Sequence, residues 1–178
     1  MMKLKLSYIL MSAFFFVSFQ EVAIAQEEHY ATWNKNYPEK NVGKVLEAEE
    51  QYASKVDNGE VESSPSYNRM DKMRFKAVYT GNERPVLTKT RETMKFVFKF
   101  FGNHKFLYVF DEIQKEYEFQ VGDQKLWLAI QNRIDPYFVK EVKKNKEVLL
   151  YCLFFNAHPQ KNDLRNYFLI SEFRAEGY

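Results

Sequence analysis

The chain has 178 residues and a formal net charge of +2, too near balance to predict strong steering toward nucleic acid or an anionic membrane. Its single cysteine excludes an internal disulfide, so the fold must be held by burial. Aromatic residues make up 17% against only 6 glycines and 5 prolines, a balance in which Phe and Tyr in alternating runs supply the apolar area of a β core.

The first residues carry the three zones of an export signal. Lys3 and Lys5 precede an apolar run from Leu6 to Phe19, and Ala23-Ile24-Ala25 precedes Gln26. The run is about 14 residues, roughly 21 Å as helix against a hydrocarbon core of ~30 Å, so a signal cleaved after Ala25 is expected rather than an anchor. A lipoprotein would need a cysteine where Gln26 stands. Residues 1–25 are therefore read as a cleavable signal, 26–71 as a lead-in, helix and polar loop, and 72–178 as a β-barrel-like domain. The mature chain is expected to be exported, periplasmic or secreted, with no membrane anchor.

From Gln26 to Glu39 the sequence is polar with scattered Tyr30, Trp33 and Tyr37 and no period, which predicts an extended lead-in. Pro38 suits a first helical turn, and Val42, Val45, Leu46, Tyr52, Ala53 and Val56 recur at helical spacing up to Gly59. Asp57 to Asp71, with Ser63-Ser64-Pro65-Ser66, reads as a polar tether. From Met73 the period drops to two. Met73, Phe75, Ala77 and Tyr79 share one strand face, ending at Thr80-Gly81-Asn82. Met94, Phe96, Phe98 and Phe100 are expected on one face of the next strand, followed by a strand from Phe106 to Phe110.

Tyr117, Phe119 and Val121 then alternate with Glu116, Glu118 and Gln120, a strand with one wet side. The turn Gly122-Asp123-Gln124-Lys125 leads to Leu126, Leu128 and Ile130 on one face, with Trp127 and Ala129 on the other. Asp135 before Pro136 predicts an N-cap and a short helix over Tyr137 to Val142. Glu147 to Asn156 is apolar at nearly every position, so a strand covered on both faces is expected, and Asn166 to Phe173 forms the last one. The fold class is mainly β (α+β): a small, partly open antiparallel barrel of OB or SH3-like type. It would have about six or seven strands, an N-terminal amphipathic helix and a short helix before the last two strands.

No phosphate loop, nucleophile elbow, His-Glu-x-x-His or Cys-x-x-Cys occurs. His29, His104 and His158 lack a second ligand at metal-site spacing, so no metal or other cofactor is expected. Cys152 with His158 and Asp163 has the residue types of a thiol nucleophile and its base, but Cys152 lies in the most apolar strand, where burial makes a thiol inert, and His158 falls in an expected turn. Lys140, Lys143, Lys144 and Lys146 form a basic cluster diluted by Glu141 and Glu147, better read as a solvated turn than as a nucleic-acid groove. Glu116 and Glu118 project from one strand face at roughly 6 to 7 Å, a spacing open to paired-acid glycoside chemistry and equally to a wet strand face. Trp127, with Tyr108 and Glu118 as further ligand-binding candidates, points to an aromatic platform for a peptide or sugar. The expected function is that of a non-catalytic binding or accessory protein of the bacterial envelope, its partner a protein or glycan and not nucleic acid. The alternative is a hydrolase of an extracellular or cell-wall polymer that uses Glu116 or Glu118.

Overall fold

The computed structural model describes residues 30–61 and 66–175. The export signal, His29 and Ser63-Ser64-Pro65 lie outside them. The chain divides into two units after Asn36. In the first, residues 30–36 are helical rather than extended.

The second unit begins its first helix, α1 (Val42–Asp57), four residues later than Pro38 suggested, because Asn41 takes the N-cap: its Oδ1 accepts from the Lys44 amide at 3.1 Å. Val42, Leu46, Ala53 and Val56 form the buried stripe that the spacing predicted. Strand β1 (Tyr67–Pro85) follows, beginning inside the expected tether and running past its expected end. Its first part pairs with β4 (Glu147–His158) over Tyr67–Val78, and its end pairs with β2 (Lys115–Val121) over Val78–Pro85. One long strand thus serves two neighbours. The register slips between Tyr79 and Glu83, around Gly81 at φ +86°. A side chain at Gly81 would be strained at that φ and would meet the stem of Lys144 at 2.6 Å.

Strand β2 turns through Gly122-Asp123 into β3 (Gln124–Ile130), and Gly122 at φ +58° supplies the first central position of a two-residue hairpin. The order β1-β2-β3-β5-β4 closes on itself as a five-stranded ring, with β5 (Arg165–Ala175) parallel to β3 and the other pairs antiparallel. The sheet is mixed, not purely antiparallel. The β3–β5 seam is short, with only Ala129–Leu169 and Ile130–Ile170 in register.

Alternation sorts the buried apolar residues of the strands into two cores. Met73, Phe75, Tyr117, Phe119, Leu128, Ile130, Leu150, Cys152, Phe168 and Ile170 form one cluster, joined by Val42 and Leu46 of α1. Ile134, Phe138 and Val142, from in and around α4 (Asp135–Glu141), join the same cluster. The Phe138 ring meets Tyr79, Tyr117, Phe119 and Phe173 at 4.7 to 5.9 Å between centroids. Asp135 is the first helical residue rather than the N-cap, and its carboxylate accepts from the Tyr117 hydroxyl at 2.6 Å.

The opposite faces of β3, β4 and β5 contribute Ala129, Phe155, Ala157 and Leu169 to a second cluster, with Met94, Val97, Phe110 and Ile113. These last four belong to an insert between β1 and β2 made of α2 (Thr88–Phe100), a single 3-10 turn (His104–Phe106) and α3 (Tyr108–Glu112). Both segments were expected as strands. The helical alternative reads Thr90, Thr93, Met94 and Val97 as the inward stripe, and those are the residues the structure buries. Phe96, Phe98 and Phe100 alternate in sequence, but on a helix Phe96 and Phe100 share the solvent face. With these two strands replaced, five remain among the described residues.

Candidate functional site

On the outer face of β2 and β3, Glu118 stands directly opposite Trp127, and Glu116 opposite Ala129. The face is not wet as expected: Glu116 is 1% exposed and Glu118 8%. Burial of two carboxylates requires partners, and β1 supplies them. Arg84 Nε donates to Glu116 Oε2 at 2.7 Å, while its guanidinium lies 4.2 Å from the centroid of the Trp127 ring. Thr80 Oγ1 and Asn82 Nδ2 each donate to Glu118 Oε2 at 2.9 Å, and Lys125 Nζ stands 3.6 Å from it. The slip around Gly81 sets Thr80 and Asn82 beside this carboxylate. Those hydrogen bonds hold the Glu118 carboxyl below the usual carboxylate range. Trp127 is half-buried under Arg84.

Tyr108 lies elsewhere. It opens α3, is 57% exposed, and lines a cavity of about 400 Å³ beneath the insert with Phe98, Phe106, Phe110, Leu153 and Leu169. That volume falls within the usual range for small-ligand sites. Gln131, Asn132, Arg133 and Glu112 give the cavity its polar groups. Phe96, Phe100, Phe101 and Phe106, all from the same insert, are also exposed. The insert is tied to the β4–β5 loop, since Lys89 Nζ meets Asp163 Oδ1 at 3.2 Å and Arg165 donates to Thr93 Oγ1 at 3.3 Å. Arg165 also grips both oxygens of Asp163, and holds that carboxyl down at about 2.

The structure thus brings together Trp127, Glu118 and Glu116, while Tyr108 belongs to a separate place. Arg84, Thr80 and Asn82 were missed, because only the pairing register shows which β1 residues reach β2. Phe106 was missed because its segment reads as a strand, and Arg133 because the turn between β3 and α4 carries no local pattern that marks a cavity wall.

Cys152 faces the ring interior, and burial pushes its thiol well up. His158 is not in a solvated turn: it ends β4, fully buried, stacked on Tyr67 at 5.2 Å. Its Nε2 lies 3.1 Å from Asp57 Oδ1, without the alignment of a hydrogen bond. Six residues of strand separate it from Cys152, about 20 Å, far beyond thiol–imidazole reach. His104 is exposed in the 3-10 turn. Lys140, Lys143, Lys144 and Lys146 are all exposed around the turn into β4.

No protein-family profile, curated protein or solved structure matches the chain.

Proposed function

We propose that this is an exported, non-catalytic binding protein of the bacterial cell envelope, periplasmic or secreted, built on an OB-type ring and taking a protein as its ligand. Five strands, a two-pair β3–β5 seam and a helix between β3 and β4 support OB over SH3-like architecture. Rings of that type take ligands at the face of strands 2 and 3 and at the β1–β2 and β4–β5 loops. Here the β1–β2 connection is the aromatic insert, tied to the β4–β5 loop through Asp163 and Arg165.

The observation that carries the reading is the cavity with exposed Phe106 and Tyr108 on its walls. Its apolar lining of Phe and Leu suits an anchor side chain from a partner, with Asn132, Arg133 and Glu112 as the polar rim of a protein interface. A glycan would call for more hydrogen-bonding groups among the rings. No observation favours the hydrolase: a general acid must hold its proton near neutral pH, whereas Glu118 is held ionised and Glu116 is ion-paired to Arg84.

The test is capture of envelope proteins by the immobilised mature chain, compared with Phe106→Ser and Tyr108→Ala, alongside a glycan array. The reading expects one identified protein to be lost with both variants and the array to stay blank. An unchanged captured set, or array signal alone, would overturn it.

A further inference from the structure

The near-neutral whole-chain charge conceals a local segregation. Between Glu92 and Asp111 no carboxylate side chain occurs, and the 18 residues in that gap hold Lys95, Lys99, His104 and Lys105. Lys95 is engaged by Asp111, whereas Lys99, His104 and Lys105 are exposed. Among them stand Phe96 at 56%, Phe100 at 63% and Phe101 at 45% exposure. Phe96 and Phe100 are one helical turn apart on α2, and the Phe100 ring meets Phe101 edge-on at 5.4 Å.

The underside of the same helix is fixed to the ring by Met94 and Val97, both fully buried. The outward rings are therefore presented on a rigid support, without a core of their own to enter. Large exposed aromatic rings interleaved with lysines are the composition of an interfacial helix, whose rings enter the headgroup boundary while the ammonium groups stay with lipid phosphates. We infer that the tip of the insert, through Phe96, Phe100 and Phe101 with Lys99 and Lys105, docks on an anionic bilayer surface. The charge complementarity selects this occupant: a second copy docked symmetrically through the same patch would set Lys99 and Lys105 against their own kind, and a neutral apolar partner would leave them unused. The proposed cavity partner uses Phe106 and Tyr108 instead.

The experiment is cosedimentation of the mature chain with phosphatidylethanolamine–phosphatidylglycerol vesicles and with phosphatidylcholine vesicles, at low and high salt. Binding to the anionic vesicles is expected, weakened by salt, and reduced roughly tenfold or more by Lys99→Glu with Lys105→Glu. Phe96→Ser with Phe100→Ser should abolish it while circular dichroism stays unchanged. Should that pair of variants fail to fold, the charge-reversed pair still decides. Equal binding to both lipids, no binding, or binding indifferent to the variants would overturn the inference. So would a dimer dissolved by Phe100→Ser in a chain that ignores vesicles.

Discussion

On the outer face of β2 and β3, Trp127 lies beneath Arg84 and each buried carboxylate has its donors. In the insert between β1 and β2, Phe96 and Phe100 stand in solvent, and exposed Phe106 and Tyr108 line a cavity of about 400 Å³. The two regions draw on the same vocabulary of aromatic rings and charges. One spends it on internal matching, as a stable surface does; the other leaves it outward-facing, which costs solvation unless something covers it. The contrast sets matched rings and charges at the Trp127 face against unmatched ones at the insert, where the proposed binding site lies.

Substitutions can break this contrast in order of expected effect. Phe110→Ala removes a ring that is 1% exposed and meets Phe98 and Phe155 beneath the insert. It should cost about 3 kcal/mol in denaturant unfolding. A loss below about 1 kcal/mol would mean that the insert is not anchored to the ring. Arg84→Ala uncovers Trp127 and strands the Glu116 carboxylate, and should cost about 2 kcal/mol, less than a fully buried pair because Arg84 is partly exposed. A neutral outcome would free the Trp127 face from its structural role.

Asp163→Asn should cost less than Arg84→Ala and change the acid profile. The Asp163 carboxyl sits at about 2 in the folded chain against an ordinary 3.8, so its contribution is present above 3.8 and fades as pH falls toward 2. In pH-dependent unfolding, this substitution should flatten that acid loss; an unaltered profile would remove Asp163 as the tie between insert and β4–β5 loop. Tyr108→Ala should move stability by no more than about 0.5 kcal/mol, as an exposed side chain does, while abolishing partner capture.

Much of the scaffold was legible from periodicity. The interior of β1, β2 and β3 follows the alternation read from Met73, Tyr117 and Leu126, β4 is covered on both faces as its continuous apolar run required, and Trp127 does face away from Leu128 and Ile130. The insert was not, because Met94, Phe96, Phe98 and Phe100 satisfy a two-residue period while Thr90, Thr93, Met94 and Val97 satisfy a helical one, and periodicity alone does not choose between them. Large side chains that alternate are usually buried by a sheet; here half of them are left in solvent. The role of Glu116 and Glu118 depended on the slip in β1 and on Arg84, thirty-two residues from Glu116 in sequence, a relation that no local pattern contains.

Site-specific photo-crosslinking in the intact envelope tests the division of labour most directly, with the reactive side chain placed at Tyr108 in one variant and at Lys125, beside Trp127 and Glu118, in another. A discrete protein adduct from position 108 and none from position 125 is the predicted result. An adduct from position 125 alone would place recognition on the β2–β3 face and contradict the account.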